Sequence, residues 1–249
     1  MDDNGVSGAA RYAVFAPLED GGRAEVVARR LSEAIALGLI GDGEQLPRES
    51  DLAAQLKVAT VTLREALSTL RHEGLVETRR GRGGGSFARS PAEASLERLR
   101  RTLRELSVHE LREIGDQHTA IAGTAALLAA ERAGPDDVAT LHGLVERLES
   151  ARTPGDRRRA DGRFHIETAA AAQSSRLTRQ EIALQGEIGE LLWMPSGEAV
   201  PHREAVAEHL EILRAIEGGQ GTRARSIVER HIGRGVDRLI EFHLRLAGS

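Results

Sequence analysis

Three histidines and one aspartate in the C-terminal half of the chain occur at positions that suit a metal-binding site. Asp161 lies four residues before His165, so on a helix the two side chains project from the same face, one turn apart. His209 and His231 each lie among apolar residues in a helix-like segment. One carboxylate and three imidazoles are ligands that Zn, Ni, Mn or Fe accepts, and they leave further coordination positions open. On spacing alone, packing within a helical core remains the alternative for each histidine.

Other polar residues of this half are candidates for lesser roles. Arg112 is a candidate for binding the carboxylate of an effector, and a solvent-facing position on a helix is the alternative for it. His202 is expected nearest to the metal site among the remaining histidines, because it lies two helical turns before His209. The others, expected at the surface or at helix caps, are His72, His109, His118, His142 and His243.

The segment after residue 91 has the composition of a helical bundle. It is rich in Ala, Leu, Arg and Glu, shows no strand-like alternation, and is interrupted at Gly, Pro and Ser residues. Helices are predicted near 92–106, 109–132, 136–151, 156–173, 175–193, 199–217 and 220–246. These segments predict an antiparallel bundle of six or seven helices, and they distribute the four candidate ligands over three of them, as a site in a bundle core requires.

The N-terminal part of the chain has the pattern of a winged helix-turn-helix. Apolar residues at helical spacing predict a first helix over 23–40. A second helix is predicted over 49–56, opening at Pro47, because proline is favoured in a first turn. The third helix, which would enter a DNA groove, is predicted over 60–73 with Gly74 as its stop.

A basic, glycine-rich hairpin follows the third helix. Two short strands, 75–78 and 86–88, are predicted around 79–85, which holds three arginines among four glycines. Glycine lets the main chain approach a phosphate backbone or a minor groove closely, and arginine supplies the charge. The fold class is therefore mainly α, with an N-terminal winged helix-turn-helix, its small β wing, and a C-terminal all-α bundle. The candidate DNA-contacting residues are Arg48, Ser50, Ala59, Thr60, Thr62, Arg64, Arg80, Gly81 and Arg82, and Arg64 is expected to bind a phosphate.

Charge and composition restrict the class of protein further. The net charge is -4, yet residues 21–90 carry eleven Lys and Arg against nine Asp and Glu, so the positive excess coincides with the predicted DNA-binding domain. The chain has no cysteine, which excludes thiolate ligands and disulfides. Without a basic and apolar leader, or a stretch of about 20 apolar residues, we expect a cytoplasmic protein with no membrane partner. The expected organisation is a loose, flexible arm over 1–20, the DNA-binding domain over 21–90, and the helical domain over 91–249.

Both domains contain short motifs of characteristic spacing. In the first domain they are Leu46-Pro47-x-Glu49-x-x-Leu52-Ala53, Val61-x-Leu63-Arg64-Glu65-Ala66-Leu67 and Glu73-Gly74-Leu75-Val76, followed by the basic wing. These closely resemble the GntR family. In the second domain, Asp161-x-x-Phe164-His165 followed by His209 and His231 resembles the FCD effector domain of the FadR subfamily.

This resemblance implies a function as well as a fold. It implies a homodimer that binds a palindromic operator and regulates transcription, with repression as the expected direction, and that is not an enzyme. It also implies that residues 91–249 mediate dimerisation and bind a divalent metal ion together with a small organic acid effector. A metal-responsive regulator is the first alternative. A metal-dependent hydrolase is a weaker one, because no motif marks a general base beside the candidate ligands.

One departure from the family pattern affects the helix that reads DNA. Val58-Ala59-Thr60 stands where the family usually has Val-Ser-Arg. Ala59 has no hydroxyl, so Thr60 is expected to cap the helix in its place. The absence of the arginine removes a guanine contact, so the operator half-site is expected to differ from the usual one.

Overall fold

The chain folds into two compact units, Met1–Ala92 and Glu93–Ser249. A computed structural model describes residues 6–18, 23–90, 96–194 and 202–248. The first unit contains α1 (Gly8–Phe15), α2 (Ala24–Ala36), α3 (Glu49–Leu56), α4 (Thr60–His72), β1 (Val76–Arg79) and β2 (Gly85–Ala88). The second contains α5 (Leu96–Glu105), α6 (Val108–Arg132), α7 (Pro135–Ser150), α8 (Pro154–Ala171), α9 (Ser175–Leu192), α10 (His202–Glu217) and α11 (Gly221–Ala247). The predicted fold class is confirmed.

The N-terminal helix α1 differs from the loose arm predicted for residues 1–20. Gly8–Phe15 are helical, and Ser7 caps the helix by accepting a hydrogen bond from the Ala10 N–H at 3.1 Å. The inner face of α1, which includes Ala10 and Val14, is buried. Alanine contributes little to a hydrophobic period, so the glycine, proline and acidic content of this segment outweighed the helical signal in the sequence.

Helix α2 is shorter than predicted because the chain turns inside the apolar pattern. The helix ends at Ala36, and Gly38 adopts a left-handed φ of 70°. The N–H groups of Leu39 and Ile40 then donate to the carbonyl oxygen of Ala34. Leu39 and Ile40 are both buried, so their apolar character serves the core after the turn rather than continuing the helix.

The two helices of the helix-turn-helix, α3 and α4, differ from the prediction at their starts. Helix α3 begins at Glu49, so Pro47 precedes the helix instead of lying in its first turn. Lys57 ends α3 in a left-handed conformation with φ 55°. Helix α4 starts at Thr60, and its N-cap, Ala59, makes no side-chain cap hydrogen bond. Thr60 is therefore the first residue of the helix, and the prediction that it caps the helix is wrong.

The hairpin after α4 forms the predicted wing. Strands β1 and β2 pair antiparallel, with Arg79 opposite Gly85, one residue beyond the predicted strand ends. Gly81, in the connecting turn, has a left-handed φ of 98° that other residues rarely adopt. The guanidinium of Arg79 lies 4.2 Å from the ring centroid of the buried Phe87. The base of the wing is thus anchored while its tip stays exposed.

The second unit is built around two long helices and a third helix that is enclosed over most of its length. Helices α6 and α11, of 25 and 27 residues, pack against each other. Their approach is close: a Cβ added at Gly115 would lie 2.9 Å from Val236 Cγ1. Helix α8 packs against α6, α7 and α9, and every residue from Ala160 to Ala171 is buried. Polar residues on this part of α8 therefore lie inside the unit.

The predicted bundle helices agree with the observed ones to within two residues at every end that the structure describes. The predicted starts at 92 and 199 lie outside the described residues. In the described part of the chain, no helix combines the length and the apolar character that crossing a membrane requires.

Candidate metal centre and DNA-binding surface

The four predicted metal ligands come together in the interior of the second unit. Helix α8 contributes Asp161 and His165, α10 contributes His209, and α11 contributes His231. One potential ligand atom from each residue lies within 4.8 Å of the others. His231 is partly buried and the other three are buried. The arrangement is that of a compact site with oxygen and nitrogen donors.

Ring contacts fix the orientation of the imidazoles. The ring of the fully buried Phe164 is stacked on His209, with centroids 4.2 Å apart and an interplanar angle of 13°. The centroids of His165 and His209 are 5.2 Å apart, and the two rings are almost perpendicular. His231 lies 5.0 Å from His209 and 5.3 Å from His165 by the same measure. Packing around Phe164 therefore holds the rings in a fixed cluster.

The electrostatics of the cluster favour a cation. Burial lowers the pKa of His165 to about 3, and burial likewise lowers the pKa of His209. Burial alone would raise the pKa of Asp161, but its contact with His209 and the nearby histidines outweigh this effect and leave the pKa below its usual value. An ionised carboxylate thus lies beside imidazoles whose neutral form is favoured, which is the protonation state that metal binding needs.

His209 has unused hydrogen-bonding capacity in this site. Its Nε2 lies 3.3 Å from Asp161 Oδ1, but neither ring nitrogen has a hydrogen-bond partner among the described residues. Such buried, unsatisfied polar atoms cost about 1–3 kcal/mol each. A metal ion bound by His209 would satisfy one of these two nitrogens, so the donor set fits the group that the sequence predicts.

A cavity of about 210 Å³ adjoins the cluster. Asp161, His165 and His231 form part of its wall. Much of the remaining wall is apolar, and it includes residues of α9, α11 and the segment after α9: Leu191, Trp193, Met194, Leu239 and Phe242. Arg238 and Arg245 also line it. Glu241 lines it as well. The cavity therefore combines candidate ligands, an apolar surface and charged side chains of both signs.

His118 is a buried residue of this cavity, so the prediction that it lies at the surface or at a cap is wrong. Its Nε2 lies 2.9 Å from Glu181 Oε1, and Gln185 donates to the same oxygen at 3.0 Å. Burial alone would lower the pKa of His118 and raise that of Glu181, but their mutual attraction outweighs burial and shifts both pKa values the opposite way. His118 continues the buried face of α6 that includes Leu111 and Gly115, a helical period that the sequence does contain.

Two further candidate residues, Arg112 and His202, lie outside the ligand cluster. Arg112 is exposed on α6 and is not among the residues that line the cavity, where Arg238 and Arg245 are found instead. His202 hydrogen-bonds the carbonyl oxygen of Leu148 and contacts the Trp193 ring, and it is not part of the ligand cluster. Arg112 thus occupies the solvent-facing position that was its alternative, whereas the expectation that His202 is the histidine nearest to the site is wrong. Packing between helices, which the sequence does not show, sets the faces that meet the site.

Glu208 is a site residue that the sequence did not reveal. It is buried on α10, and its Oε2 lies 2.6 Å from His231 Nδ1 on α11. Its other oxygen, Oε1, lies 2.7 Å from Arg234 Nη2. Since Glu208 and His231 are 23 residues apart on different helices, no local spacing pattern could have joined them.

The predicted DNA-contacting residues lie on the helix-turn-helix and the wing of the first unit. All are exposed except Thr62, which is half-buried. Beside them, the large apolar side chain of Val61 is 62% exposed at the start of α4. Arg64 is exposed and donates from Nε to Glu49 Oε2 at 2.8 Å, which links α4 to α3. This surface is therefore accessible to a nucleic acid. Glu49 pairs with Arg64 and would compete with a phosphate for it.

Comparison with known proteins decides the family. Residues 23–84 match the model described as bacterial regulatory proteins, gntR family, and residues 113–234 match the FCD domain. Over 235 residues, the chain is 44% identical to the putative HTH-type transcriptional regulator RmpR of Mycobacterium gastri, a match that covers 94% of this chain and 86% of that protein. The chain belongs to the GntR family. The sequence-based identification of a GntR regulator with an FCD domain is thus confirmed.

More distant relatives of this GntR protein include a further transcriptional regulator and a protein of similar fold. The Uxu operon transcriptional regulator of Escherichia coli K12 is 27% identical over 216 residues, with 80% of each chain covered. The solved structure of E. coli McbR/YncC is similar with a TM-score of 0.52 at 19% identity, covering 88% of this chain and 97% of the other, and shows the fold alone. The family matches and the relatives are transcriptional regulators and not enzymes. This GntR protein is accordingly a DNA-binding transcriptional regulator.

Proposed function

We propose that the FCD unit binds one divalent metal ion through Asp161, His165, His209 and His231, and that a small organic acid binds beside it and changes the affinity for operator DNA. The observation that carries this proposal is the convergence of four donor atoms within 4.8 Å, in the interior of the unit and at the wall of a cavity. The absence of cysteine restricts the ion to those that accept nitrogen and oxygen donors, such as Zn, Ni, Mn or Fe.

Charge balance supports a carboxylate as the effector. A divalent ion held by the single carboxylate of Asp161 and three imidazoles keeps one positive charge, and buried charge is costly unless it is compensated. When bound, such an ion supplies a Lewis-acidic centre for a carboxylate oxygen. Arg238 and Arg245 lie in the described cavity lining with a single glutamate, Glu241, so positive side chains outnumber negative ones on the wall away from the ion, which also favours an anion.

The size and lining of the cavity restrict the effector further. A volume of about 210 Å³ lies below the roughly 300–1,000 Å³ typical of pockets for drug-sized ligands. The effector is therefore small. Trp193, Met194 and Phe242 line the cavity, so an organic acid with an apolar substituent suits it better than a highly hydroxylated one.

The DNA-binding unit provides the output of the regulator. We infer that a homodimer presents two copies of α4 to a palindromic operator, with the N-terminal part of α4 at the bases and Arg80 and Arg82 of the wing at the backbone. Repression is the expected direction. The effector must bind the DNA-competent and DNA-incompetent dimers with different affinity, because a ligand without such a difference shifts no equilibrium.

Metal analysis of the full-length protein tests the core of this proposal. We expect about one tightly bound divalent ion per chain, lost in His165→Ala and Asp161→Asn. His109→Ala is the matched control, because the His109 side chain is 80% exposed on α6 and away from the cluster. A protein that carries no metal after mild purification, and binds none when Zn²⁺ or Mn²⁺ is added, would refute the proposal. Operator binding that follows a buffered metal titration without any organic acid would make the metal itself the signal.

A further inference from the structure

Glu208 makes a contact that goes beyond helix packing. Its Oε2 lies 2.6 Å from Nδ1 of His231, within the cluster that we propose to bind metal. Glu208 is 7% exposed, so this bond is shielded from water. An ionised carboxylate can only accept a hydrogen bond, so Nδ1 of His231 must carry the proton. Nε2 is then the nitrogen with a free lone pair.

An ion-pair ladder between α10 and α11 holds Glu208 in place. Arg234 Nη2 lies 2.7 Å from Glu208 Oε1, and Arg234 Nη1 donates to Glu204 Oε1 at 2.9 Å. Arg238 Nη1 lies 3.4 Å from Glu204 Oε2. Burial alone would raise the pKa of Glu208, but the hydrogen bond from His231 and the two arginines outweigh it and lower the pKa. The carboxylate is thus restrained from the side opposite His231.

We propose that Glu208 is the positioning residue of the metal centre, which fixes His231 as the Nδ1–H tautomer and directs Nε2 towards the other ligands. This inference rests on the proposed metal site. Hydrogen bonds from the distal nitrogen of a ligating histidine to a carboxylate fix its tautomer and ring orientation, and their loss typically lowers metal affinity about 10- to 100-fold.

Glu204 provides a matched control for this role. It lies on the same helix, one turn before Glu208, and pairs with the same Arg234. It makes no contact with His231 among those the structure gives. Glu204→Ala therefore removes ladder contacts and leaves the His231 bond. Glu208→Ala removes a ladder contact, that with Arg234, and the His231 bond as well. If Glu208 served helix packing alone, the two substitutions would change the metal affinity by similar amounts.

The test measures Zn²⁺ affinity of full-length variants by competition with a chelator. We expect Glu208→Ala to bind about 10- to 100-fold more weakly than the wild type, and Glu204→Ala to remain within about 3-fold. Glu208→Gln should recover much of the loss, because its amide oxygen still accepts from Nδ1–H. Equal losses in Glu208→Ala and Glu204→Ala, or no loss in either, would overturn the assignment.

A second readout, the ring nitrogens of His231, does not depend on metal. In the metal-free wild type, ¹⁵N chemical shifts should report the Nδ1–H tautomer of His231, and in Glu208→Ala they should report a shift towards Nε2–H, the usual preference of free histidine. This measurement also separates two failures. A wild type that binds no metal but shows the Nδ1–H tautomer refutes the metal site and not the contact, whereas a wild type with the Nε2–H tautomer refutes the role of Glu208.

Discussion

The buried pair of His118 and Glu181 shows how much a single contact can matter inside this bundle. The two side chains are 1% and 0% exposed, and His118 Nε2 lies 2.9 Å from Glu181 Oε1. Removing ionisable groups from water is costly, so such a pair contributes little net stability. When one partner is removed, the other remains buried and unpaired, which destabilises the fold strongly. His118 lines the cavity, so the pair fixes one side chain of the cavity wall.

Substitution of this pair gives the residue-scale prediction. Glu181→Ala should lower the free energy of unfolding by about 3–5 kcal/mol, because His118 is left buried without its partner. The double variant His118→Leu with Glu181→Leu should be within about 1–2 kcal/mol of the wild type or more stable, since apolar residues need no partner. Denaturant unfolding followed by circular dichroism, in excess chelator, measures both. A double variant no better than Glu181→Ala would contradict the argument.

Packing between elements explains which parts of the fold could be predicted. The helix bounds after residue 96 could be predicted from breaks at Gly, Pro and Ser. The placement of Asp161 and His165 on one helical face could be predicted from their spacing of four residues. The pairing of His118 with Glu181 could not be predicted, because it depends on which faces of α6 and α9 meet. Helix α1 was missed for a related reason: its alanines become core residues only against α2 and α3.

The contact of α6 with α11 gives a prediction at the scale of elements. Gly115→Ala should lower the free energy of unfolding by about 1–3 kcal/mol, because the new Cβ would lie 2.9 Å from Val236 Cγ1 and the helices would have to separate. Gly143→Ala in α7 is the control, because nothing lies within 4 Å of its added Cβ. This control should raise stability by up to about 1 kcal/mol through helix propensity. Thermal unfolding of both variants measures the difference in stability. Equal shifts of the unfolding midpoint would contradict the close approach of α6 and α11.

At the scale of the whole molecule, the protein must attract DNA although its net charge is -4. Binding then depends on where the cations are placed, because counterion release is set by phosphate contacts and not by net charge. Arg64 and the wing arginines are exposed on the DNA-binding unit. Glu49, 2.8 Å from Arg64, offsets one of these charges before DNA binds.

The salt dependence of operator binding tests this placement. Arg64→Ala should weaken binding to all sequences and reduce the slope of log K against log salt by about one unit. Glu49→Gln should strengthen binding, because it removes the carboxylate that competes for Arg64. Both side chains are exposed, so stability should change little. Filter binding or anisotropy at several salt concentrations measures the slopes. Wild-type affinity and slope in Arg64→Ala would show that Arg64 does not bind a phosphate.

The enclosure of α8 limits how this regulator can change over time. A surface helix has an outer face on which most substitutions are neutral, but the stretch Ala160–Ala171 is buried on all sides. Two of the candidate ligands lie in this stretch, where a larger side chain would displace a neighbouring helix because the interior is closely packed. A change in the shape of the cavity is therefore easier through α9 and α11, which form its apolar wall, than through the helix that carries Asp161 and His165.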